Sequence, residues 1–196
     1  MSEKVRQLRE MTGAGLLDCK KALESAGGDL ERAVRILREK GLALAAKKAG
    51  REASEGLVDA YIHPGSRLGV LVEVNCETDF VARTEEFRHF VHEVAMQIAA
   101  MNPTYISRDQ VPPEALEREK EILRVQAEAE GKPAHVAEKI VQGRLEKFFQ
   151  QACLLDQPYI RDGQTTVGDL LKQLIARVGE NVVIRRFARF ELGESS

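Results

Sequence analysis

No stretch of this chain is apolar for long enough to cross a bilayer as a helix, which argues against a membrane-spanning helix. Its amino-terminal MSEKVRQLRE lacks the apolar core of a secretory signal and runs straight into a helical pattern, so a cytoplasmic location is expected. Cysteine is scarce. Cys19, Cys76 and Cys153 are odd in number, far apart and outside any CxxC spacing, which argues against a disulfide framework or a zinc ribbon and leaves them as small, mostly buried hydrophobes. An excess of one charge is missing too: 29 Lys and Arg face 31 Asp and Glu, for a net charge of −2. No global field therefore draws the protein to nucleic acid, and the pairs Lys47–Lys48 and Arg185–Arg186 read as solvated surface.

Motifs for chemistry are absent by spacing. Thr12-Gly13-Ala14-Gly15 has glycines suggestive of a dinucleotide fingerprint, but no strand precedes it and no third glycine follows, so it reads as a turn between helices. His89, His92 and Glu93 share part of a helix surface and His135 follows later; with no HExxH and no third ligand, these are expected to be solvated histidines and not a metal site. Cys76, His63 and Asp79 supply the residue types of a nucleophilic set, without a spacing that supports one. Neither a cofactor nor enzymatic catalysis is expected.

What is present is 196 residues, 43% hydrophobic and 31% charged, the profile of a globular chain of one generous or two small domains. Two domains are the preferred reading. From Val5 to Gly41, glycines at 13, 15, 27 and 28 punctuate three short helices. Leu16, Cys19, Leu23 and Ala26 step by three and four, as do Leu30, Ala33, Val34 and Leu37 after an Asp29 N-cap, and Gly41 is expected to end the last helix. Such a bundle is too small to be strongly stable alone, so it is expected to be a recognition module, tethered by a partly helical linker over 43–55. This divides the chain into a helical module with its linker at 1–55 and an α+β core at 56–196.

In the core, Leu57–Ile62 and Leu68–Asn75 are strand-like runs joined by His63-Pro64-Gly65-Ser66-Arg67, with Val70, Val72 and Val74 on one face. A helix over 85–101 carries the stripe Phe87, Phe90, Val91, Val94, Ala95 and Ile98, able to cover that face. Pro112-Pro113 opens a charged helical hairpin, interrupted at Gly131-Lys132-Pro133 and carrying Ile140, Val141, Leu145, Phe148 and Phe149 as its stripe. A last helix over 167–178 leads to a strand over 182–192, antiparallel to the hairpin, in which Val182, Ile184, Ala188 and Phe190 alternate.

Two segments carry a resemblance. Leu8 to Leu23, LREMTGAGLLDCKKAL, and Glu73 to Arg83, EVNCETDFVAR, resemble the two signatures of the elongation factor Ts family, and the similarity runs along nearly the whole chain. The resemblance implies a fold like a ubiquitin-associated domain for the amino-terminal bundle, a dimerisation domain after it, and guanine-nucleotide exchange on elongation factor Tu during translation elongation. By that resemblance Arg9, Leu16, Leu17 and Lys20 face a helix of the GTPase domain, whereas periodicity alone makes Leu16 core and Leu17 partly exposed. Asp79 and Phe80 would enter near the magnesium and phosphate site, Phe80 as a wedge; read without the family, Thr78 or Asp79 is an N-cap and Phe80 anchors the following helix.

His63, Val178, Gly179 and, more weakly, Lys48 correspond to further partner-facing positions. Unaided, His63 is an ordinary turn residue and Gly179 a helix C-cap. The partners implied are elongation factor Tu, GDP-bound and nucleotide-free, and a second copy of the chain in a two-plus-two complex. Longer family members carry two related copies of the core subdomain and this chain one. No membrane or direct nucleic-acid partner is expected.

Overall fold

The computed structural model describes residues 3–131 and 134–194. Lys132 and Pro133, where the break in the helical hairpin was expected, and the side chain of His135 lie outside the described residues. The architecture is α+β, with an amino-terminal helical region and one three-stranded sheet. Two compact units emerge: one is Met1–Asp59, Val72–His92 and Leu170–Arg185, and the other is Ala60–Leu71, Glu93–Asp169 and Arg186–Ser196.

The first unit begins with α1 (Glu3–Thr12), α2 (Leu16–Ser25) and α3 (Leu30–Lys48). Their shared core is Val5, Leu8, Cys19, Ala22, Leu23, Ala26 and Ala33, the apolar positions at helical spacing. Asp29 caps α3 by accepting a hydrogen bond from the Arg32 amide at 2.9 Å. Gly41 does not end α3. The helix runs seven residues further, to Lys48, and a Cβ added at Gly41 would lie 3.3 Å from the Ala176 Cβ. Glycine serves there for close approach to a second helix, a use that local pattern does not distinguish from a stop signal.

Strands β1 (Glu55–Ile62) and β2 (Leu68–Cys76) form the expected hairpin, and β3 (Val182–Glu191) pairs with β2 to give the order β1-β2-β3. The Leu192 amide donates to the Arg67 carbonyl at 2.8 Å, bringing the end of β3 to the start of β2, as antiparallel pairing requires. At Gly56 φ is +144° and an added Cβ would fall 2.2 Å from the Val74 carbonyl oxygen, so no side chain fits. Val70, Val72 and Val74 alternate inward as expected and are buried. Phe190 lies in β3 as expected and is 70% exposed. Arg185 and Arg186 are both exposed, and beyond them the alternation that buries Val182 and Ile184 no longer turns the even positions inward.

Helix α4 (Asp79–Ala82) is a single turn ahead of α5 (Glu85–Met101), whose Phe87, Val91, Val94, Ala95 and Ile98 are buried. In the second unit α6 (Pro113–Ala129) packs along α7 (Ala134–Ala152). Val111, Phe149 and Cys153 are buried at the base of this hairpin with Leu116, Leu145 and Phe148 against them. Its two feet are stitched together. The Tyr105 amide donates to the Ala152 carbonyl, and the Leu154 amide to the Tyr105 carbonyl, both at 2.9 Å. Arg108 forks onto Glu146 at 2.9 and 2.7 Å, reaches Asp156 at 2.8 Å and lies 4.5 Å over the Phe149 ring. This pairing holds the Glu146 carboxyl below the usual carboxylate range.

After α7 the chain is pinned to α5 by buried polar groups. Gln97 donates to Gln157 and to the Pro158 carbonyl, both at 3.1 Å, and accepts from the Ile160 amide at 2.9 Å. Glu93, expected on a helix surface with the histidines, is buried instead and accepts from Arg161 at 2.6 and 2.7 Å and from the Tyr159 hydroxyl. Burial, with the Glu93 carboxylate as the acceptor, pushes the Tyr159 phenol up to about 12. Helix α8 (Val167–Val178) then leads to β3.

Candidate functional site

The segment Glu73–Arg83 starts as the end of β2 and finishes as α4. Thr78 is the N-cap: its backbone is extended and its hydroxyl accepts from the Val81 amide at 3.4 Å. That fixes which of the two candidate residues caps the turn. Val81 and Ala82 are buried, so the one-turn helix is rooted through them and not through Phe80, which is 82% exposed. Phe80 thus anchors nothing within its own chain. Asp79 beside it is exposed and pairs with Arg83 at 2.7 Å.

Polar contacts from the other end of the chain hold this turn. Helix α8 ends at Val178, and Gly179 follows with φ +74° and its amide on the Ile175 carbonyl at 2.9 Å, the C-terminal geometry expected of it. The next residue, Glu180, accepts from the Thr78 amide at 3.0 Å and from the Thr78 hydroxyl at 2.7 Å. Reciprocally, Glu77 accepts from the Asn181 amide at 2.7 Å. Asn181 donates to the Arg51 carbonyl at 2.7 Å, and the Arg51 guanidinium lies 3.6 Å from Glu77.

Five residues from three chain segments therefore tie the α4 turn to the α8–β3 turn, and Glu77 registers the arrangement. The Asn181 amide first, then the charges of Arg51 and Lys48, hold its carboxyl below the ordinary range. Lys48 thus acts on this clamp from the end of α3. Cys76 beneath the turn is buried and donates to the Thr78 carbonyl at 3.1 Å; burial, then the Glu180 charge, pushes its thiol up to about 11. All three cysteines are buried and free, as their spacing suggested.

The helical bundle belongs to the same unit and meets the end of α8. A Cβ added at Gly13 would lie 2.8 Å from the Arg177 Cδ, and Arg177 pairs with Glu86 at 2.7 Å. On the bundle, Leu17 is 71% exposed and Leu16 is 45% exposed, which corrects the expectation from periodicity that Leu16 is core. Leu16 is the first residue of α2, and the inward face of that helix is taken by Cys19, Ala22 and Leu23. Arg9 and Lys20 are exposed as well. Asp18 on α2 and Lys40 on α3 close a 2.5 Å ion pair between the two helices.

Of the candidate residues, Arg9, Leu16, Leu17, Lys20, Lys48, Asp79, Phe80, Val178 and Gly179 fall in the first unit and His63 in the second. His63 is exposed in the β1–β2 turn, its ring 2.9 Å from the Tyr61 hydroxyl and its carbonyl accepting from the Ser66 amide. His92 pairs with Asp59 at 2.9 Å, and no group that could hold a metal ion occurs among the described residues. No described helix is long and apolar enough to cross a membrane.

Glu77, Glu180, Asn181 and Arg51 were not legible as site residues. Glu180 and Asn181 sit within the quoted Val178-Gly179-Glu180-Asn181 element, but their partners are 102 to 104 positions away in the chain, where no local pattern reaches. A pair of carboxylates each placed at the end of a regular element was the available signal.

Comparison with known proteins points to one family. A family model described as Elongation factor TS matches residues 20–194. A protein named Elongation factor Ts from Caldanaerobacter subterraneus subsp. tengcongensis is 68% identical over 193 residues, covering 98% of this chain and 96% of its own length. Proteins of the same name from Carboxydothermus hydrogenoformans and Moorella thermoacetica are 64% and 63% identical, covering 98% and 97% of this chain and 89% and 94% of their own lengths.

Proposed function

The chain belongs to the elongation factor Ts family, and from that premise we propose that it is a guanine-nucleotide exchange factor for elongation factor Tu, acting in the cytoplasm during translation elongation. It makes and breaks no bond. It binds nucleotide-free elongation factor Tu more tightly than the GDP-bound form, so by linkage it weakens GDP by the factor that GDP weakens it. GTP then enters by mass action.

The observation that carries this reading is an apolar ring held out into solvent by a turn clamped from beneath, with Phe80 82% exposed while its neighbours Val81 and Ala82 are buried. An exposed phenylalanine on a rooted turn suits insertion into a partner. Asp79 and Phe80 disturb the magnesium and phosphate end of the GTPase, while Arg9, Leu16, Leu17 and Lys20 on the bundle, Lys48, and Val178 with Gly179 hold its domain. Burying one phenylalanine contributes roughly 1.5–3 kcal/mol, about ten- to a hundredfold in rate, so Phe80 helps without sufficing and the other contacts must aim it.

Residues 1–55 act in this reading as the ubiquitin-associated-like recognition module and residues 56–196 as the core and dimerisation domain. A homodimer in a two-plus-two complex is supported by the exposed Ile62, Leu71 and Phe190 on the sheet strands, Leu71 alternating with the buried Val70 and Val72 and so lying on the opposite face. His63 is the contact offered by the second unit. Mixing the protein with elongation factor Tu carrying a fluorescent GDP analogue should accelerate release of the analogue; an unchanged release rate overturns the proposal. Sedimentation should give twice the chain mass, and Phe190→Asp should shift it toward one.

A further inference from the structure

We infer that Glu180 is a positioning residue for nucleotide exchange, aiming the Phe80 tip by fixing the hydroxyl of Thr78; the inference rests on the exchange reading above. Helix α4 has four residues, too few for its own hydrogen bonds to hold it, so its direction depends on its cap. The cap is the Thr78 hydroxyl, which has one proton to give and lone pairs to offer. An ionised carboxylate can only accept. With Glu180 Oε1 at 2.7 Å, the hydroxyl proton must point at Glu180, and an oxygen lone pair is left for the Val81 amide. The other oxygen of the same carboxylate takes the Thr78 amide at 3.0 Å, so backbone and side chain of the capping residue are fixed by one group.

A second contact acts in the same sense. Glu77, the residue before Thr78, takes the amide of Asn181, the residue after Glu180, at 2.7 Å. The two turns thus exchange carboxylates through two adjacent pairs, Glu77–Thr78 and Glu180–Asn181. Glu180 also follows Val178 and Gly179, so the residue bonded to the Phe80 turn is continuous with the second contact element. Neither carboxylate need touch the GTPase to act.

The test separates aim from affinity. Release of a fluorescent GDP analogue from elongation factor Tu is titrated with wild-type protein, Glu180→Gln, Phe80→Ala and the double variant, giving a maximal rate and a half-saturating concentration for each. Glutamine has the shape of glutamate but one acceptor oxygen in place of two, so E180Q should lose about tenfold in maximal rate while its half-saturating concentration moves by less than about twofold. In the F80A background the same substitution should change nothing further, because the group it aims is gone. Thr78→Val should reproduce E180Q, and Thr78→Ser should retain the wild-type rate.

A wild-type maximal rate in E180Q overturns the inference, and so does an equal loss in both backgrounds, which marks a general structural role. Should E180Q fail to fold, T78V against T78S decides the same question. No acceleration by the wild-type protein is a separate result: it removes the exchange reading itself.

Discussion

Phe80 and Phe87 lie on either side of Thr84 and have opposite fates, one 82% exposed and the other fully buried. Both follow a capping threonine. The Thr78 hydroxyl accepts from the Val81 amide, and the Thr84 hydroxyl accepts from the Phe87 amide at 3.2 Å. Phe87 therefore occupies the third position after its cap and Phe80 the second. One residue of helix is about 100° of rotation, enough to carry a side chain from core to solvent. In α4 the third position is Val81, and it is buried as Phe87 is in α5. The same residue type is thus buried or left in solvent according to its register from a cap.

The largest effect expected from this comparison is on the buried side. Phe87→Ala should destabilise the fold by about 3–5 kcal/mol, read from urea unfolding, by lost transfer energy and an unfilled cavity. Phe80→Ala should leave the unfolding midpoint within the range of neutral surface changes and instead lower the maximal rate of GDP release by about tenfold or more. A midpoint shift as large as that of F87A would show that Phe80 packs within its own chain after all.

Val81→Phe tests the register directly. It forces a large ring into the buried third position and should cost about 1–3 kcal/mol by overpacking, measured by the same unfolding curves. If it cost nothing, the root of the α4 turn would be looser than burial of Val81 and Ala82 implies.

The smallest effect lies on the acid limb of stability. The Asn181 amide and the Arg51 charge favour ionised Glu77, so the folded protein binds that proton only below the ordinary carboxyl value of 4.5. The stabilisation is complete above that value and is lost as pH falls through the lower folded one. Melting temperatures of wild type and Glu77→Gln should therefore differ at pH 7 and converge toward pH 3; a gap that stays constant with pH would assign the difference to packing.

Much of the scaffold was legible because its causes are local. The stripe from Phe87 to Ile98, the alternation of Val70, Val72 and Val74 and the Asp29 cap each follow from a few consecutive residues, and the structure has them as read. Gly41 misled because a glycine that admits another helix and one that ends its own look alike in sequence. Leu16 misled because it fits the spacing of Cys19 and Leu23 yet stands at the very start of α2, where it is 45% exposed. Phe190 shares the alternating register of Val182 and Ile184 and yet is exposed, a difference that the strand's own pattern does not reveal. At the site, the outward placement of Phe80 was legible only through the resemblance, and the carboxylates that hold its turn were missed because their partners are over a hundred positions distant.

The stitched feet of the α6–α7 hairpin have a consequence for how this chain can vary. Thr104 and Tyr105 meet Ala152, and Leu154 meets Tyr105, so the polypeptide leaves and returns at one spot whatever lies between. With Arg108 locking the base to Glu146 and Asp156, the segment is a cassette whose tip can be lengthened or trimmed by whole helical turns while its ends stay together. Variants of the hairpin can therefore change its reach while its two ends stay at one spot.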